Sequence, residues 1–285
     1  MADFGREELL GVLDLAARMK AGTGPALPLA GKQVAILFQK PSMRTRVSFE
    51  VGIDRLGGHS VTLGEADVQL GTRETFADAG RVLDRYVDCI VARFRSHEEL
   101  QQLARWATVP VVNALTDREH PCQVLADLMT IREHRGTLDG RVAFVGDGNN
   151  MVVSLAAAAA QLGFELTVVT PPGYRPPVDA IAATARVQVT GDLAAVDGAD
   201  IVYTDVWASM GWEAERELRR KEFAEYQVDA ALMARSPRAL FMHCLPAHRG
   251  EEVTDEVIES SRSIVFDQAE NRLWAQMALL ALLVG

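Results

Sequence analysis

Short apolar runs alternate with helix-period segments from residue 34 to residue 243 of the 285-residue chain, and no other feature narrows the fold as much. Strands are expected at 34–38, 60–63, 89–92 and 109–113, with helices opening near Arg44, Thr75, Glu98 and Gln123. A second set at 142–145, 166–170, 187–189, 201–204 and 240–243, with a last short strand near Ile264, repeats the scheme. Strands spaced by helices pack as parallel sheets with helices on their faces. The expectation is therefore an α/β chain of two doubly wound parallel-sheet domains joined by long helices. A first amphipathic helix carries Leu9, Leu10, Leu13, Ala16 and Ala17 at helical spacing. A long helix over 123–135, followed by Gly136-Thr137-Leu138-Asp139-Gly140, marks the joint, so the domains are expected at 1–135 and 136–267. The closing segment 268–285, with Leu273, Met277, Leu280 and Ala281 on one side of a helix, is expected to pack back on the first domain.

Charge limits the partners. A formal net charge of -10, from 39 acidic and 29 basic residues, leaves no electrostatic footprint for nucleic acid or an anionic membrane, so an anionic substrate needs a local basic pocket. Cys89, Cys122 and Cys244 form no CxxC pair and no zinc-finger spacing, which argues against a disulfide framework or structural zinc and fits a reducing compartment. The first residues lack a signal pattern and the apolar stretches are too short to span a bilayer, so a cytoplasmic location is expected.

Five segments carry chemistry. Ser42-Met43-Arg44-Thr45-Arg46 follows a strand and opens a helix, with Ser42 as N-cap. Amide groups of a first helical turn, the helix dipole and the guanidinium groups of Arg44 and Arg46 would together cradle a phosphate; a capped helix with solvated arginines is the plainer alternative. His120-Pro121-Cys122-Gln123 lies at another strand's carboxyl end, where ligands bind in open α/β sheets, and Arg93 ends a strand in the same way. His120, Gln123 and Arg93 are thus candidates to polarise a carbonyl group, or else a simple helix cap and an exposed strand-end arginine.

Gly146-Asp147-Gly148-Asn149-Asn150 invites a dinucleotide reading, but position 151 is Met where the third glycine belongs, and no acid ends the strand at 166–170. What survives is a tight turn from which Asn150 can offer its amide to a small ligand. Asp205-Val206-Trp207-Ala208-Ser209-Met210-Gly211 ends a further strand, where Asp205 would suit an ammonium group unless the segment is an ordinary loop. Cys244, in His243-Cys244-Leu245-Pro246, is a polar contact, a base, a nucleophile or a buried structural cysteine.

Ser-Met-Arg-Thr-Arg, His-Pro-Cys-Gln, Asp-Val-Trp-Ala-Ser-Met-Gly and His-Cys-Leu-Pro, with Glu270-Asn271-Arg272, occur in the order and spacing of the transcarbamoylase family, over nearly the whole chain, and the Ser-Met-Gly and His-Cys-Leu-Pro segments resemble its ornithine branch. The resemblance implies transfer of the carbamoyl group of carbamoyl phosphate to the δ-amine of L-ornithine, giving L-citrulline and phosphate, with no metal or other cofactor. It implies that carbamoyl phosphate is held by Ser42, Met43, Arg44, Thr45, Gln69, Arg93, His120, Gln123, Cys244, Leu245 and Arg272, Gln69 reaching a neighbouring subunit's site. Ornithine would be oriented by Asn150, Asp205, Ser209 and Met210, the catalytic groups being Arg93, His120, Cys244 and Asp205. It further implies a homotrimer or a multiple of trimers. Position 43 is Met where many members carry Thr, which removes a hydroxyl but leaves the backbone N–H. Transfer to putrescine or an N-acylated ornithine, or a binding protein without catalysis, are the rival expectations.

Overall fold

The computed structural model describes residues 1, 3–181, 184–208 and 215–285. By its internal contacts the chain divides into two compact units: a first one of Phe4–Met129 with Glu270–Gly285, and a second of Met1–Asp3 with Thr130–Ala269.

The first unit contains β1 (Gln33–Phe38), β2 (His59–Gly64), β3 (Cys89–Arg93) and β4 (Val111–Leu115), all parallel, in the order β2-β1-β3-β4. Helices α1 (Arg6–Lys20), α2 (Met43–Arg55), α3 (Glu65–Val68), α4 (Phe76–Leu83) and α5 (His97–Ala104) accompany them, and α6 (Pro121–Arg135) leads into the second unit. Strands β1 and β3 are buried almost throughout because helices cover both their faces, whereas the edge strand β2 alternates. Hydroxyl caps decide where helices begin. Ser42, Thr75 and Ser96 each accept the N–H three residues on, from Thr45, Asp78 and Glu99.

The second unit holds β5 (Arg141–Val145), β6 (Glu165–Val169), β7 (Val187–Thr190), β8 (Ile201–Thr204) and β9 (Leu240–His243), again parallel, in the order β7-β6-β5-β8-β9. Helices α7 (Asn150–Leu162), α8 (Val178–Ile181), α9 (Arg216–Glu222), α10 (Ala230–Ala234) and α11 (Asp255–Ile258) surround it, and the chain leaves through α12 (Val265–Val284). One face of the sheet buries Ala143, Val145, Val202 and Phe241 with Trp207, Phe223 and Val253. In each sheet the strand order reverses at one place, β1/β3 in the first and β5/β8 in the second. Loops leaving the carboxyl ends there diverge to opposite faces and open a crevice suited to ligands.

Two expected strands move. No strand forms at Ile264: Ser263 makes a single bridge to Phe241, and the Ile264 carbonyl accepts the Gln268 N–H, which commits it to the start of α12. Strand β4 begins at Val111, because the Val109 N–H is taken by the Asp84 carboxylate and Pro110 has none to give. The helix expected from Gln123 starts at Pro121, whose fixed φ suits a first helical position.

Candidate active site

Chain leaving β1 enters α2 through the Ser42 cap, which places the positive end of that helix at the carboxyl edge of the first sheet. The Ser42 hydroxyl accepts the Thr45 N–H at 3.3 Å and donates to Thr45 Oγ1 at 3.1 Å. Thr45 is buried, and its hydroxyl is reached by Arg93 Nη1 at 3.5 Å and Arg272 Nη2 at 3.4 Å. Arg272 also donates to Gln123 Oε1 at 2.7 Å, and Gln123 Nε2 donates to Asp127 at 2.9 Å. The Gln276 amide turns its oxygen to Arg272, at 2.7 Å from Nη2 and 2.9 Å from Nε, and its nitrogen to Ser48 Oγ at 2.7 Å.

His120 is buried beside this network. Burial, followed by the positive charges of Arg272, Arg93 and Arg44, holds its imidazole well below the usual histidine value. The ring is therefore neutral near pH 7 and can donate one N–H to a carbonyl oxygen. Three guanidinium groups, two hydroxyls and a helix start, gathered in a mostly buried place, suit an anion carrying more than one negative charge. Of the sequence-expected residues, Ser42, Arg44, Thr45, Arg93, His120, Gln123 and Arg272 thus belong to one unit and, in large part, to one hydrogen-bonded network.

Others stand apart from it. Met43, 72% exposed, contributes backbone at most, since its side chain faces solvent. Arg46, expected to add charge to the cradle, instead donates to Glu50 one turn on at 2.9 Å. Gln69 is exposed, in left-handed conformation at the end of α3. Gln39, which no motif marks in the sequence, ties the two loops of the β1/β3 switch point: its Oε1 accepts the Arg95 N–H at 2.8 Å and its Nε2 donates to Glu99 at 3.1 Å. Asp127 and Gln276 were legible in principle, each four residues after a named site residue, one helical turn away.

In the second unit Asp205 is the hub. Its Oδ1 accepts the Cys244 thiol at 3.0 Å and the Val206 N–H at 2.8 Å, and its Oδ2 accepts Asn149 Nδ2 at 2.8 Å. Asn149, not singled out from sequence, is also the N-cap of α7 and accepts the Met151 N–H at 2.9 Å, while Asn150 is the helix's first residue. Cys244 is partly exposed, unlike the buried Cys89 and Cys122, whose thiols burial pushes up to about 12 and about 11. Leu245, with φ 55, donates its N–H to His243 Nδ1 at 2.9 Å, and His243 Nε2 meets Glu252 Oε1 at 3.1 Å. Asp205, His243 and Cys244 offer donor atoms within 4.8 Å of one another, but both imidazole nitrogens are already engaged, so the grouping is a hydrogen-bond network. Ser209 and Met210 lie outside the described residues.

A Cβ on Gly148 would lie 2.3 Å from Pro176 N and 2.6 Å from the Tyr174 carbonyl oxygen, so close packing of the chain after β6 on this turn accounts for the glycine without a dinucleotide. A buried carboxylate, a partly exposed thiol and neighbouring amides suit instead the polar groups of a small amino acid.

The fold and these two clusters define an α/β enzyme that pairs an anionic donor with a small amine-bearing acceptor, and comparison gives the family. Residues 1–133 match the aspartate/ornithine carbamoyltransferase carbamoyl-P binding domain, and residues 139–283 match the Asp/Orn binding domain of the same family. An ornithine carbamoyltransferase of Symbiobacterium thermophilum is 53% identical, the match covering 99% of this chain and 96% of the relative. The solved ornithine carbamoyltransferase of Pyrococcus furiosus is 50% identical with a TM-score of 0.94, covering 100% of this chain and 95% of that one. The anabolic enzyme of Campylobacter jejuni, at 38% identity, also superposes with a TM-score of 0.94 over 99% of this chain and 96% of its own. The chain belongs to the aspartate/ornithine carbamoyltransferase family.

Proposed function

We propose that the chain transfers the carbamoyl group of carbamoyl phosphate to the δ-amine of L-ornithine, forming L-citrulline and phosphate in arginine biosynthesis. The observation that carries the reading is the network of Arg93, Arg272 and Thr45 beside a neutral His120: Thr45, Arg93 and His120 lie in the stretch that matches the carbamoyl-P binding domain, and Arg272 joins them from α12 within the same compact unit. In this reading Arg44, Ser42, the backbone at Met43 and the start of α2 take the phosphate. Arg93, His120 and Thr45 donate to the carbamoyl oxygen, and Gln123 and Arg272 fix the donor's orientation. Asp205, Asn149, Asn150 and Cys244 bind and orient ornithine, with Ser209 and Met210 assigned there by the family motif and Leu245 beside the carbamoyl group.

The chemistry follows from those donors. The neutral amine attacks the carbamoyl carbon, the carbonyl oxygen gains negative charge, and fixed N–H groups stabilise it in a site that need not reorganise. The nitrogen passes a proton to the departing phosphate as the C–O bond to phosphate breaks, and the cationic side chains favour the departing anion. Holding both reactants in line supplies much of the acceleration. We further read the protein as a cytoplasmic homotrimer, or a multiple of trimers, with Gln69 contributed to a neighbouring copy's site; among the described residues no helix is long and apolar enough to cross a membrane.

A citrulline-formation assay with carbamoyl phosphate, comparing ornithine, putrescine, N-acetylornithine and aspartate, tests the assignment. Ornithine is expected to be the preferred acceptor. Preference for another amine, or no product with any, would refute it.

A further inference from the structure

On the reading of the second unit as the ornithine-binding half, we infer that Arg219 is a positioning residue that sets the spacing of the two loops holding the amino acid. The side chain of Arg219, which lies on α9, is only 8% exposed. Its Nη1 donates to Asp147 Oδ2 at 2.7 Å and to the Trp207 carbonyl oxygen at 2.8 Å, and its Nε donates to Glu215 at 3.2 Å. Asp147 lies in the turn after β5, two residues before Asn149; Trp207 lies in the loop after β8, two residues after Asp205. One guanidinium therefore joins both loops of the β5/β8 switch point, within two residues of the Asn149–Asp205 hydrogen bond.

A third element fixes the height of the turn. Gly148 N–H donates to the Tyr174 carbonyl at 2.9 Å, and the Tyr174 ring lies under the Arg219 guanidinium, 4.8 Å from ring centre to Cζ. Arg219 thus works from behind the polar groups rather than on the substrate. Lysine presents a single ammonium in place of a planar fork and cannot reproduce bonds to Asp147, Trp207 and Glu215 at once.

Steady-state kinetics of Arg219→Lys, Arg219→Gln and Asp147→Asn, with thermal unfolding of each, test this. KM for ornithine is expected to rise about tenfold or more in both Arg219 variants, with KM for carbamoyl phosphate within about twofold of the parent. If Arg219→Gln does not fold, Asp147→Asn, which keeps side-chain volume and removes only the ionic arm, carries the same expectation. Lower Tm with an unchanged ornithine KM would show a purely structural brace and overturn the inference, as would an equal rise in both KM values. Asp205→Asn separates this from the underlying reading: if it leaves ornithine KM unchanged, the assignment of the second unit itself fails. A large effect at Asp205 with none at Arg219 sinks the positioning role alone.

Discussion

Histidine near pH 7 is ordinarily balanced between two charge states, and the surroundings of His120 remove that balance. Burial and the charges of Arg272, Arg93 and Arg44 all disfavour the imidazolium, so the folded chain keeps the ring neutral at pH values where the unfolded chain protonates it. The sign is fixed: the unfolded state binds the proton first, so stability is full above the unfolded value of about 6.5 and falls as pH drops below it. Chemical unfolding at a series of pH values should show the parent losing stability relative to His120→Gln as pH falls below about 6.5. Parallel curves for the two proteins would mean that the ring is already free to ionise in the fold. Residue types and strand-end positions made His120, Arg93 and Thr45 visible in the sequence, but not their partners. Arg44 and Arg46 look equivalent on paper; only the helix geometry sends Arg46 to Glu50.

At the scale of elements, both sheets use one device: a tight turn out of a central strand into a capped helix at the place where strand order reverses. Ser42 caps α2 and Asn149 caps α7. The turn before α7 is held against its neighbour so closely that only glycine fits, as the 2.3 Å approach of a Gly148 Cβ to Pro176 N requires. Gly148→Ala should therefore cost about 1–3 kcal/mol by overpacking and displace Asn149 from Asp205. Thermal and denaturant unfolding measure the first effect, and a raised ornithine KM with unchanged carbamoyl phosphate KM reports the second; wild-type behaviour in both would contradict the packing described. Strands β1, β3, β5 and β8 were readable because burial on both faces demands continuous apolar runs. The short run at Ile264 misled, since a bridge plus a helix cap needs the same apolar residue as a strand.

For the molecule as a whole, the two sheets were legible from alternation alone, and family motifs spread over both units explain why nearly every candidate is polar and lies at a strand end or helix start. Long-range partners such as Arg272 with Thr45, or Arg219 with Asp147, are 227 and 72 residues apart and carry no local signal. Binding of carbamoyl phosphate in the absence of ornithine, followed by calorimetry, tests most directly whether the first unit's arginine network grips the donor. The parent chain should bind saturably, with binding weakened about a hundredfold or more in Arg93→Ala and Arg272→Ala and unaltered in Arg46→Ala, because truncating a buried charge partner costs about 2–5 kcal/mol. Undiminished binding in the first two variants, or equal loss in Arg46→Ala, would contradict it.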